Sequence, residues 1–177
     1  MNNILLSPHF CLDEFTKSST AIKHGIQNVP PQEAVENLRR LCANALEPLR
    51  EELGLPVVIT SGFRTKALND LLAHSSERSQ HMQGQAADFY VGEGPVSSSK
   101  IQGSSVQSDS RRELLIKAFR LIITSEQIDY DQLILYPSFI HVSYVSRERN
   151  RRTILLGMRN GKLGYGKCSV QNALKIQ

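Results

Sequence analysis

The stretch Ser79-Gln80-His81-Met82-Gln83-Gly84-Gln85-Ala86-Ala87-Asp88-Phe89 constrains this chain more than any other. It sets a histidine and an aspartate seven positions apart among small residues, and a second histidine, His141, follows in Phe139-Ile140-His141-Val142-Ser143-Tyr144. Two imidazoles and one carboxylate are a common ligand set for a catalytic zinc, with the fourth position left to water. A fold that uses the three together must bring residue 141 beside residue 88.

The local pattern permits this. Phe139-to-Val145 and Ala86-to-Val91 read as strands. Alternation puts His141 with Phe139 and Ser143 on one face, and Asp88 with Ala86 and Tyr90 on one face. The more apolar faces take the core, so His141 and Asp88 project to the opposite side. His81 then lies on the loop feeding the second strand, with Gly84 allowing close approach. Taken alone, His141 reads first as an ordinary hydrogen-bonded strand residue. Asp88 between apolar neighbours requires a cation, an arginine or backbone donors, because an unpartnered buried carboxylate is costly. Arg64 follows the strand-like run Pro56-to-Ser61 through Gly62-Phe63. Its planar fork suits a carboxylate or an oxyanion, or else local carbonyls. Ser79 can donate to a substrate group or cap a turn.

The remaining elements follow from periodicity. Residues 7–28 read as an irregular lead-in with a short helix near Leu12–Lys17, and Gln32-to-Leu53 as a long helix kinked or divided at Pro48. A helix capped by Thr65 runs to about His74, and Ser75-to-Gln80 is polar loop. Residues 92–112, rich in Gly and Ser, read as a flexible surface loop, followed by a helix over Arg112–Ser125. Gln132–Tyr136 and Phe139–Val145 flank a tight Pro137-Ser138 turn. Residues 147–177 read as a basic hairpin tail closed by Asn160-Gly161, a type I′ signal. Early helices followed by hairpin-joined strands predict an α+β fold, a single domain over 1–177 with a mainly antiparallel sheet and helices packed on one face.

Composition excludes several classes. The 177 residues are 40% hydrophobic and 21% charged, which is globular. No apolar run approaches the roughly 18 residues of a membrane span, so no membrane insertion is expected. The start lacks a charged n-region and a long apolar core, so the chain is expected to be cytoplasmic as synthesised. The three scattered cysteines, Cys11, Cys42 and Cys168, suggest free thiols. The net charge of +4 suits an anionic polymer without requiring nucleic acid.

Ser61-Gly62-Phe63-Arg64, Asn69, Ser79-x-His81-x-x-Gly84-x-Ala86-x-Asp88 and Ile140-His141-Val142 together resemble the zinc D-alanyl-D-alanine carboxypeptidase family. That family includes cell-wall carboxypeptidases, vancomycin-resistance D,D-dipeptidases and phage endolysin peptidases, and it has the Hedgehog/DD-peptidase fold. The segments Phe10-x-Leu12-x-Glu14-Phe15 and Asp131-Gln132-Leu133-Ile134 resemble a branch common in phages and prophages. The resemblance implies Zn2+ as cofactor, held by His81, Asp88 and His141. It also implies Arg64 polarising the scissile carbonyl or holding the substrate carboxylate, Ser79 as a substrate-side hydroxyl, and a peptidoglycan peptide stem as partner. Hydrolysis would use a hydroxide from zinc-activated water. An endolysin of this kind acts on the wall only once released.

One departure stands out. The family usually carries an acid shortly before the last histidine, whereas Leu135-Tyr136-Pro137-Ser138-Phe139-Ile140 contains none. Tyr136 is the candidate on the right face if Tyr136 pairs with Phe139 and Ile134 lies opposite His141; Asp131, ten residues before His141, is the nearest upstream acid, and an acid in the 92–112 loop is the other source. A phenol is a poor base at neutral pH unless a metal lowers its pKa. The alternative is a catalytically weak or inactive binding module of the same fold, recognising cell wall or a protein partner. The basic tail is read as a solvated hairpin or a contact with anionic polymer, and no nucleic-acid partner is expected because few aromatics interleave the charges.

Overall fold

The computed structural model describes residues 4–73, 75–92, 105–159 and 162–176. The lead-in is ordered where an irregular segment is expected. It forms strands β1 (Leu5–Ser7) and β2 (Phe10–Cys11), then helices α1 (Leu12–Thr16) and α2 (Ser19–Lys23). Leu6, Phe10 and Phe15 are buried in the core, each such side chain contributing about 1.5–3 kcal/mol. Glu47 fastens this segment, accepting hydrogen bonds from the His9 backbone N–H and from its Nδ1, both at 2.8 Å.

The long helix is divided as Pro48 requires. Helix α3 (Gln32–Leu41) passes through a π-helical turn, Cys42–Leu46, into α4 (Glu47–Leu53). Pro48 has no N–H for the Asn44 carbonyl four residues back, and that carbonyl instead accepts from the Asp129 N–H at 2.9 Å. Ala34, Val35, Leu38 and Leu41 form the buried stripe of α3.

Five further elements lead into the second half: β3 (Val57–Ser61), α5 (Lys66–Leu71), a 3₁₀ turn (Gln80–Gln83), β4 (Ala86–Val91) and α6 (Ser105–Thr124). The α5 helix is capped by the Thr65 hydroxyl and ends before residue 74, which lies outside the described residues. Helix α6 starts at Ser105, so the expected 92–112 loop is wrong over 105–112. After Gly103 nothing in that serine-rich sequence forbids a helix. Residues 93–104 lie outside the described residues. Leu115, Ala118, Phe119 and Ile122 are the buried face of α6.

Strands β5 (Gln132–Leu135), β6 (Ile140–Ser143), β7 (Thr153–Arg159) and β8 (Lys162–Lys167) complete the sheet, and α7 (Val170–Ala173) follows. The six long strands run β3-β4-β6-β5-β7-β8, all neighbours antiparallel except the β5–β7 pair. The architecture is the expected α+β single domain with a mainly antiparallel sheet. The hairpin of 147–177, however, is no solvated tail: β7 pairs along β5 and extends the sheet. Its closing residues 160 and 161 lie outside the described residues.

Register decides what each face carries. Ala87, Val142, Leu133 and Ile154 align across four strands, as do Phe89, Ile140, Leu135 and Leu156. These rows belong to the hydrophobic core with α3, α4 and α6. Between them runs the row Ser61, Asp88, His141, Ile134 and Leu155, facing the other way. Among the described residues no helix is long and apolar enough to cross a membrane.

Candidate metal centre

Asp88 and His141 are direct cross-strand partners in β4 and β6. The Asp88 Oδ1 accepts from His141 Nδ1 at 2.7 Å, and His81 Nε2 lies 3.3 Å from both Asp88 Oδ1 and His141 Nδ1. All three residues are buried, and they form a group able to hold a metal ion. Donor atoms about 2.0–2.1 Å from a tetrahedral ion stand roughly 3.3 Å apart, so two of the three separations already match.

The chain around His81 fixes its ring. Its Nδ1 lies 2.7 Å from the Gly62 carbonyl. A carbonyl only accepts, so Nδ1 carries the proton and Nε2 turns a lone pair toward Asp88 and His141. Burial pushes the His81 pKa down, keeping the ring neutral, though the Asp88 carboxylate opposes this. Burial also acts to raise the Asp88 pKa, but the hydrogen bond from His141 Nδ1 opposes it, and the carboxyl is held far below the usual range.

Two close backbone approaches fix the turn that carries His81. Gly84 has φ +68°, and a Cβ there would stand 2.3 Å from the Ala34 carbonyl oxygen of α3. A Cβ on Gly62 would fall 2.6 Å from Phe15 in α1. The Arg64 N–H donates to the His81 carbonyl at 3.2 Å, joining the two turns. Asn28 clamps the same segment, donating to the Phe63 carbonyl at 2.9 Å and accepting from the Thr65 N–H at 2.9 Å. No periodicity in the lead-in signals this role; only an Asn ending a helix-poor segment was visible.

The cluster opens on a cavity of about 1050 Å³. Arg64, Ser79, Asp131 and Tyr136 all line it. Arg64 Nη2 donates to Asp88 Oδ2 at 3.0 Å and to Ser61 Oγ at 2.9 Å, and Nε donates to Ser61 Oγ at 3.1 Å. Ser79 precedes the 3₁₀ turn without capping it through its side chain. Asp131, 1% exposed, accepts from the Arg151 backbone N–H at 2.8 Å, from Arg151 Nε at 2.9 Å and from Gln80 Nε2 at 2.9 Å. Arg151 Nη2 also donates to it. Arg152 is likewise paired, with Asp129 at 3.1 Å. Two cations of the supposed basic tail therefore hold the sheet end to the site.

Tyr136 is where the turn places it. Its N–H donates to the Phe139 carbonyl at 3.0 Å, and Ile134 lies opposite His141. Burial and the neighbouring Tyr165 raise the Tyr136 pKa, so the phenol stays protonated. Tyr165 and Phe139 share the cavity wall; nothing in a glycine-rich terminal strand marked Tyr165 in advance.

A search of curated proteins finds no match. Residues 8–123, more than half the chain, match the family model described as Peptidase M15. Arg64, His81 and Asp88 fall inside that segment, while His141 lies beyond it and reaches the cluster only through the β4–β6 pairing. The match agrees with the resemblance carried by the motifs, and the cluster is of the donor type such enzymes use: the chain belongs to the peptidase M15 family, the zinc D-alanyl-D-alanine carboxypeptidase-like peptidases.

Proposed function

We propose that this protein is a zinc-dependent peptidase that hydrolyses amide bonds in the peptide stems of bacterial peptidoglycan, with His81, Asp88 and His141 holding the metal. The observation that carries the reading is the convergence of three donor atoms at 2.7–3.3 Å beside a large open cavity. A zinc ion bound there supplies Lewis acidity, polarising the scissile carbonyl and making water a competent nucleophile near neutral pH.

The chain's own groups do the rest. Arg64 keeps Asp88 oriented through Nη2 and presents its remaining guanidinium edge to a substrate carboxylate or carbonyl oxygen. The Ser79 hydroxyl, uncommitted to the turn it precedes, is available to hydrogen-bond the peptide. Asp131 anchors Arg151 and Gln80, and through Gln80 steadies the turn bearing His81.

A second reading, a binding module that recognises cell wall without cutting it, is favoured by one fact. Asp88 and Asp131 are the carboxylates lining the cavity among the described residues, and both are engaged. Neither is free to take a proton from water.

Two measurements on the same preparations separate these readings. Metal analysis of protein purified without added zinc is expected to give near one zinc per wild-type chain and little in His81→Ala. Purified peptidoglycan is expected to release stem fragments with wild type, and at least ~100-fold more slowly with Asp88→Ala. Zinc without digestion would support the binding module; no zinc even after add-back would sink the metal site.

A further inference from the structure

The Tyr136 ring is held by two contacts. It stacks on Phe139, with centroids 4.3 Å apart and planes 17° from parallel. It also lies against the backbone of β7, where a Cβ on Gly157 would stand 2.3 Å from Tyr136 Cδ1. Only glycine leaves room for the ring. Its hydroxyl donates at 3.1 Å to the hydroxyl of Tyr165, which reaches over from β8 at the sheet edge. Hydroxyl protons rotate, so Tyr165 can donate in return and turn the Tyr136 proton to the cavity. The Tyr136 carbonyl accepts from Arg112 Nη1 at 3.0 Å, so the backbone of the turn is fixed as well. By alternation Tyr136 continues the face of Ile134, directly opposite His141. Both phenols line the same cavity as Arg64.

A rigid, neutral O–H lining a reaction cavity is a preorganised donor, and such donors act on charge that appears only in the transition state. We propose that Tyr136 donates a hydrogen bond to the oxyanion formed during amide hydrolysis, and that Tyr165 and Gly157 are positioning residues for its phenol. The proposal rests on the peptidase reading above. In the step concerned, water adds to the carbonyl carbon and the C=O π pair moves onto oxygen. Tyr136 shares its proton with that oxygen and retains it. The pair returns as the C–N bond breaks, and the departing nitrogen takes the proton that the water gave up. Tyr136 is then no substitute for a missing acid; it complements Arg64. Tyr165 and Gly157 lie in the strands added to the sheet after the family-matched segment.

The test uses the zinc-loaded full chain and a phosphinate isostere of D-alanyl-D-alanine, whose tetrahedral oxygen mimics the oxyanion. Calorimetric titration is run on wild type, Tyr136→Phe, Tyr165→Phe and Gly157→Ala, with zinc content and melting temperature measured on each. Tyr136→Phe keeps the ring stack and is expected to fold normally. It should retain its zinc, lose roughly 10–100-fold in phosphinate affinity, and lower kcat with KM nearly unchanged. Tyr165→Phe should weaken phosphinate binding roughly 3–10-fold. Gly157→Ala should weaken it while the phenol is still present. Equal phosphinate affinity in wild type and Tyr136→Phe would overturn the inference alone, as would a loss explained by zinc release. If wild type neither binds the phosphinate nor cleaves stems, the peptidase reading fails and takes this inference with it.

Discussion

At the residue scale the site depends on contacts that no side chain could replace. Gly84 illustrates this. Its left-handed backbone alone disfavours any other residue by about 1–2 kcal/mol, and its Cβ would also meet the α3 backbone at 2.3 Å. Gly54 is the natural control, with φ +65° and nothing within 4 Å of the position a Cβ would take. Gly54→Ala should therefore lower stability by about 1 kcal/mol. Gly84→Ala should cost at least ~3 kcal/mol, or roughly 6–12 °C in melting temperature, and should weaken metal binding because His81 rides on the same turn. Thermal unfolding of both variants with zinc titration checks the pair. Gly84 was readable in advance as a point of close approach. Its partner, Ala34, was not, because the two are fifty residues apart and only packing brings them together.

At the element scale the parallel addition of β7 to β5 brings the 146–152 connection back across the site. Asp131 closes it. Burial acts to raise the Asp131 pKa, but hydrogen bonds from Arg151 outweigh it and the carboxyl is held below its ordinary value. A depressed carboxylate contributes stability above its unfolded pKa, near 3.9, and loses it as pH falls through the folded value. Asp131→Asn frees a half-exposed arginine that water can solvate, costing about 1–3 kcal/mol at pH 7. Arg151→Ala leaves a buried carboxylate unpaired and should cost more, about 3–5 kcal/mol. Urea unfolding at pH 7 should show that order, and at pH 3 the gap between the variants should narrow as Asp131 takes up a proton. A pH-independent gap would mean the pair is not the latch. The sequence displayed these arginines as a charge run, and a charge run says nothing of partners that tertiary pairing supplies.

At the scale of the whole molecule, four of the six strands of the large sheet, β5 to β8, lie after the family-matched segment. A chain ending at residue 146 would lack β7 and β8, expose the β5 edge and strip Asp129 and Asp131 of their arginines. It should fail to unfold cooperatively and should be cleaved readily by protease at 25 °C; a truncated chain with a sharp transition would show that the last two strands are dispensable. The sequence by itself picked out His81, Asp88 and His141 as candidate donors, through the motif resemblance, and the strands bearing two of them, because alternation with period two fixes which side chains share a face. It also determined the fold class, since hairpin-joined apolar runs after helices leave few other arrangements. Only the tertiary structure decided that the lead-in holds the His81 turn, that the basic hairpin joins the sheet, and that Tyr136 rests on Gly157 and bonds to Tyr165. These are contacts between residues far apart in the chain. They are set by shape complementarity and hydrogen bonding after collapse, and no local pattern carries them.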